Sequence, residues 1–186
     1  MLKRSFLLVA LLLASCAPGS GSVGGADYDP AYDFYEFYRV ADGHNFHVIV
    51  DGNPFPALSP EDMRRRLLPV LQASRPRPRL TFTYAAPAEP QHPDYRVVVV
   101  FNAANDLTAA RVCANQIRVR PEPAERIQIF GVYCRNDAAL SQAVATAVAT
   151  SPEDPRLQET LSHLFLVVFS EHTPFRRSPF PFILGR

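Results

Sequence analysis

Four consecutive valines near the middle of the chain constrain its fold more than any other feature. They lie in the run 95–101, Tyr-Arg-Val-Val-Val-Val-Phe, which is almost continuously apolar. β-Branched side chains favour strands, and a strand without polar alternation is typical of the centre of a sheet. The run therefore predicts a central strand, and the next residues, 102–106, Asn-Ala-Ala-Asn-Asp, predict a turn.

Patterns on both sides of this run predict further strands and two helices. Strands are predicted at 46–50 and at 80–84, and the segment 137–150 is ambiguous, with its Ala/Val/Thr alternation favouring a strand over a helix. Two Ser-Pro-Glu-Asp sequences, at 59–62 and 151–154, each predict a helix start, with serine as the N-cap and proline at the first helical position.

The two predicted helices differ in how clearly they are patterned. Pro69 is expected to kink or end the first one. The second has apolar residues at helical spacing, namely Leu157, Leu161, Leu164, Phe165 and Val168. Together the elements predict an α+β fold with a mainly antiparallel sheet of about five to seven strands and two helices on one face.

The first sixteen residues have the form of a secretory signal. Lys3 and Arg4 give a basic start, and residues 6–13 form an apolar core of about eight residues. A membrane-spanning helix needs about 20 apolar residues, so this core is too short to cross a bilayer. The segment 1–15 is therefore predicted to be a signal peptide.

The end of this segment, Leu13-Ala14-Ser15-Cys16, closely resembles the lipobox of bacterial lipoproteins. The resemblance implies cleavage before Cys16, which would then carry acyl chains such as palmitate and anchor the protein in a membrane. Ala17 replaces the aspartate that retains members of this class in the inner membrane. It therefore implies the periplasmic face of the outer membrane, with the inner membrane as the alternative. An ordinary secretory signal with a chance cysteine is the other interpretation.

Composition limits the possible roles of the chain beyond the anchor. Loss of residues 1–15 would leave 171 residues and change the formal net charge from +1 to −1, which gives no electrostatic argument for nucleic acid as a partner. Gly- and Ser-rich residues after Cys16, up to 26, predict a flexible tether. The 18 prolines lie between apolar runs rather than in one tract. Residues 27–186 are therefore predicted to form a single periplasmic domain, which resembles no characterised family.

If Cys16 carries lipid, two cysteines remain. Cys113 and Cys134 are expected to form a disulfide, because a secreted protein meets an oxidising compartment. The Pro-containing residues 121–125 predict the turn of a β-hairpin that places position 113 opposite position 134. A free nucleophilic thiol is the alternative.

Residues 28–38 are unusually dense in aromatic and acidic side chains. They predict either an edge strand that packs its rings on the core, or an exposed aromatic platform for a glycan or another flat ligand. The Pro- and Phe-rich end of the chain, 173–186, offers a second group of rings. The candidate residues for ligand or partner contact are Tyr28, Tyr32, Tyr35, Tyr38, Phe180 and Phe182.

The Arg-Pro-Arg-Pro-Arg segment, 75–79, is a stiff basic stretch. It is interpreted as a connector between elements, with contact to lipid phosphate as the alternative. Proline restricts the backbone at two of its five positions, so the segment is expected to be rigid.

None of three familiar catalytic motifs is found in the sequence. It contains no nucleophile elbow, no zinc-protease helix motif and no phosphate-binding glycine loop. The spacing of His44 and His47 in a strand, and of His163 and His172 around a helix, directs each pair to opposite faces. No catalytic residue, metal site or cofactor is therefore predicted.

Three functions are consistent with these observations. The first is a non-catalytic envelope lipoprotein that docks a partner protein or assembly. The second is a ligand-binding module that uses the aromatic residues 28–38. The third is a hydrolase whose site the motifs do not reveal.

Overall fold

The computed structural model describes residues 21–120 and 126–172, which form a six-stranded sheet and four helices. The strands are β1 (Ser22–Tyr28), β2 (Asn45–Asp51), β3 (Thr81–Thr83), β4 (Tyr95–Phe101), β5 (Ile127–Arg135) and β6 (Ala138–Ala147). The helices are α1 (Phe34–Ala41), α2 (Pro60–Ala73), α3 (Ala109–Cys113) and α4 (Pro155–Val168). The α+β class and the expected number of strands are confirmed.

The sheet is mixed, with three antiparallel pairings and two parallel ones. The expectation of two helices on one face needs correction, because the described residues contain four helices. The strand order is β1-β6-β5-β4-β2-β3, in which β4 is antiparallel to β5 and parallel to β2, and β2 is parallel to β3. Parallel neighbours need a long crossover, and α2 supplies it between β2 and β3. The sequence pattern marked these elements but did not reveal the direction in which they pair.

The four valines of β4 explain why the sheet is covered on both sides. Val97 and Val99 face a core formed with α1, α2 and α4, whereas Val98 and Val100 face a smaller cluster that includes α3. All four are fully buried. The prediction of a central strand is confirmed, and the absence of polar alternation follows from two apolar layers.

The aromatic segment 28–38 does not form an edge strand. β1 ends at Tyr28, a turn follows in which the Asp29 carboxylate accepts a hydrogen bond from the Ala31 N–H at 2.7 Å, and α1 then begins at Phe34. Asp33 is the N-cap, and its carboxylate accepts from the Tyr35 N–H at 2.8 Å. Helical spacing of the buried side chains outweighs the preference of aromatic residues for strands.

Part of the predicted tether is ordered sheet. Residues 22–26 belong to β1, which pairs antiparallel with β6 from Ser22 opposite Thr146 to Tyr28 opposite Ser141. Strand pairing uses main-chain groups, and these are present whatever the side chains are. A Gly- and Ser-rich composition was therefore a poor guide to the start of the folded domain.

Of the two predicted serine N-caps, Ser59 and Ser151, only Ser59 caps a helix. Ser59 is the N-cap of α2 as predicted, and its hydroxyl accepts from the Asp62 N–H at 3.0 Å. At the second sequence the N-cap is Asp154 rather than Ser151, because Pro155 directly follows Asp154 and occupies the first helical position. The apolar face predicted for α4 is buried throughout.

Pro69 neither ends α2 nor separates it into two helices. The helix continues to Ala73, and the side chains of Leu67, Val70 and Leu71 on either side of the proline are buried. Packing of these residues outweighs the hydrogen bond that proline cannot donate.

The predicted hairpin pairing, which placed position 113 opposite position 134 in a neighbouring strand, is absent, although the disulfide between Cys113 and Cys134 is present. Cys113 ends α3, and β5 already has β4 and β6 as its two neighbours. A strand can pair on only two sides, so the residues after α3 pair instead with the segment that follows β4. Val119 bridges Ala103, and the Arg120 N–H donates to the Asn102 carbonyl at 2.8 Å. The Cα atoms of Cys113 and Cys134 are 5.6 Å apart across the bridge. Residues 121–125 themselves lie outside the described residues.

Candidate functional site

Two of the predicted contact residues, Tyr28 and Tyr32, are packed against the end of α4. Tyr32 is only 9% exposed, and its hydroxyl donates to the Ser170 carbonyl at 2.9 Å. Tyr28 is half-buried and donates to the Val167 carbonyl at 2.6 Å. Burial raises the pKa of both phenols above their usual value. These two rings tie the end of β1 and the following turn to the end of α4, and they are not available as a flat platform.

The other two tyrosines of the segment are exposed. Tyr35 and Tyr38 lie three residues apart on α1 and are 55% and 42% exposed. Helical spacing of three places them near each other on the outer side of the helix. The structure thus divides the predicted aromatic platform into a buried pair and an exposed pair. Phe180, Phe182 and Cys16 lie outside the described residues.

Tyr38 borders a cleft that we call the arginine cleft, which has a volume of about 540 Å³. Its lining residues are Tyr38, Ala73, Arg75, Pro76, Arg77, Pro78 and Arg79. The sequence pattern assigned 75–79 to a connector and did not place it beside α1. The signal that was available is the strict alternation of arginine with proline; in the structure the three arginines are exposed and the two prolines are buried.

A second concave surface, which we call the edge groove, has a volume of about 570 Å³. It lies along β2 and α2 and is lined by Val48, Ile49, Val50, Glu61, Arg64, Arg65, Leu68 and Tyr84. β3 pairs with β2 only from Asn45 to His47. Beyond His47, no strand in the described ranges 21–120 and 126–172 pairs with this edge of β2. Nothing in the sequence pattern distinguishes this open edge from a paired one.

Tyr84 closes one side of the edge groove. Its hydroxyl donates to the main-chain carbonyl of Arg64 at 2.7 Å, and burial raises the pKa of the phenol to about 12. Arg65 forms an ion pair with Asp62. Within the part of the chain that the structure describes, no carboxylate lies within ion-pair distance of the Arg64 guanidinium. The groove thus combines an open strand edge, apolar side chains, the Arg64 guanidinium and the Glu61 carboxylate; among the described residues neither charge forms an ion pair.

The histidines do not converge. The Nε2 atom of His47 lies 3.2 Å from the Tyr84 carbonyl, and burial lowers the pKa of this imidazole. The Nδ1 atom of His44 lies 3.3 Å from the Val40 carbonyl, while His163 and His172 are exposed. Among residues 21–120 and 126–172, no group of three or more His, Cys, Asp or Glu side chains could hold a metal ion.

No helix within the described ranges has the length and apolar character that crossing a bilayer requires.

Comparison with known proteins gives no family assignment. No family model and no curated protein matches the chain. Seven chains of solved structures match, among them two of PelC dodecamers from Paraburkholderia phytofirmans, one of which carries a leucine-to-methionine substitution. Each is 13% identical to this chain and covers 82% of it and 99% of its own length, with TM-scores of 0.43 and 0.39. At TM-scores below 0.5 these similarities carry no argument about function.

Proposed function

We propose that this protein is a lipid-anchored, non-catalytic component of the bacterial envelope that docks a partner protein. The anchor would be Cys16, on the periplasmic face of the outer membrane. The docked part would be an extended segment of the partner that adds a strand to the open edge of β2. The observation that carries this proposal is the open edge of β2 inside the edge groove.

An added strand would find three kinds of contact in the edge groove. Residues 48–51 lie beyond the part of β2 that β3 covers, which is about 13 Å of strand at about 3.3 Å per residue. Main-chain hydrogen bonds to such an edge supply affinity in strand addition, and pockets for alternate side chains supply specificity. Leu68 and Tyr84 offer apolar contact, and Arg64 offers its unpaired charge to a carboxylate. We therefore expect an apolar segment with an acidic residue near Arg64.

The lipid anchor is tested by replacing its cysteine. Cys16→Ser removes the sulfur that would be acylated, so this variant is expected to leave the membrane fraction and appear as a soluble or an unprocessed protein. Fractionation and the mass of the N-terminal peptide measure the outcome. A Cys16→Ser protein that remains membrane-bound at the processed size would contradict the lipid anchor.

Docking is tested by photo-cross-linking in intact cells. A photoreactive residue at position 61, on the rim of the edge groove, is expected to capture one partner through an extended segment with an acidic residue. The same probe at Leu166, which is 62% exposed on α4, serves as the matched control. Arg64→Glu should reduce capture at position 61 by about tenfold, because it replaces the attractive charge with a repulsive one. Equal capture from position 166, or capture that Arg64→Glu leaves unchanged, would contradict docking in the edge groove.

A further inference from the structure

We propose that the arginine cleft binds an anionic saccharide. A sugar ring would pack against Tyr38, and a carboxylate or phosphate group of the saccharide would bind the guanidinium groups of Arg75, Arg77 and Arg79. This site is separate from the edge groove, and the inference does not depend on the docking proposed above.

The backbone of the cleft is built to present its cations. Pro76 and Pro78 are buried, whereas Arg75, Arg77 and Arg79 are exposed. Proline has a fixed φ and little freedom to lose, so this segment holds its shape without a ligand. Three positive charges on one rigid strip therefore face the solvent before anything binds, which lowers the entropic cost of binding.

These cations are poorly compensated within the protein. Arg79 is 88% exposed, and its Nε atom is 3.8 Å from the Asp42 carboxylate. Arg75 donates to the Gln72 main-chain carbonyl at 3.2 Å. Among the described residues, Arg77 has no ion pair or hydrogen bond. A guanidinium group forms bidentate hydrogen bonds with carboxylates and phosphates, so an anion is the complement of this surface.

The exposed ring of Tyr38 indicates that the uncharged part of the ligand is a sugar ring. Its ring is 42% exposed at the border of the cleft, next to the apolar carbons of Ala73, Pro76 and Pro78. A tyrosine offers an apolar face with a polar tip, which suits a sugar ring with C–H groups on its faces and hydroxyls on its edge. The cleft volume of about 540 Å³ lies in the range typical of small-molecule sites.

An acidic peptide fits this cleft less well than a saccharide. The lining comes from α1, the end of α2 and the segment 75–79, and it includes no strand edge. An extended peptide would therefore find no ladder of main-chain groups to pair with. A saccharide has no peptide groups to satisfy, and its hydroxyls remain accessible to water in an open cleft.

The test is titration calorimetry on the purified full-length protein in detergent micelles. The probes are trigalacturonate as a carboxylated saccharide, a phosphorylated glucosamine disaccharide, neutral maltotriose and inorganic phosphate. We expect at least one anionic saccharide to bind, with maltotriose and phosphate about tenfold weaker or more. Arg77→Gln should weaken that binding by about tenfold, the loss expected when one hydrogen bond to a charged group is removed. Tyr38→Ala should weaken it by about as much, because it removes the aromatic face on which the sugar ring packs.

Two control variants test whether a loss of saccharide binding comes from the cleft itself or only from a change in the total charge of the protein. Tyr38→Phe keeps the ring and should retain saccharide binding. Arg126→Gln removes an exposed arginine outside the cleft and should also leave saccharide binding unchanged. Melting temperatures of all four variants close to that of the native protein would show that the fold is intact.

Other outcomes would overturn the inference. Equal binding of neutral and anionic sugars, absence of saccharide binding, or phosphate binding that Tyr38→Ala leaves unchanged would each contradict it. Vesicles of phosphatidylglycerol provide a further arm. If they bind in an Arg77-dependent manner while the saccharides do not, the cleft is a lipid headgroup site and the saccharide assignment is wrong.

Discussion

Replacing Cys113 and Cys134 together by alanine is expected to lower the free energy of unfolding by about 3 kcal/mol or more. The bridge joins residues 21 positions apart, so its loss restores conformational freedom to the unfolded chain. Both cysteines are buried in the cluster that α3 forms with Val98 and Val132, so the lost sulfur atoms also leave a small cavity. Thermal unfolding should show a decrease in Tm of about 6 to 12 °C for a domain of this size.

Reduction of the native protein separates the two contributions. Reduced protein keeps both sulfur atoms in the core and loses only the covalent link, so it should lie between the oxidised protein and the double alanine variant. Urea denaturation of the oxidised protein, the reduced protein and the double alanine variant gives the order of their free energies of unfolding. If the oxidised protein and the double variant unfold at the same urea concentration, the bridge contributes nothing to stability.

Phe37→Ala is expected to lower the free energy of unfolding by about 3 to 5 kcal/mol, the usual cost of removing a buried aromatic ring. Phe37 has no exposed surface. Its ring is stacked on Phe169 with centroids 4.1 Å apart, and it meets Phe46 and Tyr133 edge to face at 5.7 and 5.6 Å. One side chain thus joins α1, β2, β5 and the end of α4, and such aromatic pairs stabilise beyond their buried area.

Tyr38→Ala is the matched control for this experiment. It removes a ring of nearly the same size from the next position of α1, but that ring is 42% exposed. We expect a loss below about 1 kcal/mol, since surface substitutions have small effects. Equal losses for the two variants would indicate that the aromatic cluster does not hold α1 on the sheet.

The sequence alone determined the elements whose signal is local. The valine run of β4, the apolar spacing of α4 and the serine cap of α2 depend on residues a few positions apart, and the structure contains all three. The pairing of Cys113 with Cys134 was also accessible, because only two cysteines remain once Cys16 is assigned to lipid. Local propensity failed at α1 and at 22–26, where helical packing and main-chain pairing outweigh composition.

Only the tertiary structure decided which distant residues meet. The direction of β2 relative to β4 depends on the crossover, and the open edge of β2 depends on where β3 stops. The arginine cleft joins Tyr38 of α1 to residues 75–79, which are separated from it by β2 and α2. Side-chain patterns record which face of an element is buried, whereas strand order and the meeting of distant segments follow from the packing of the whole chain. For this reason the sequence marked 75–79 as a basic segment but predicted neither its meeting with Tyr38 nor the open edge of β2.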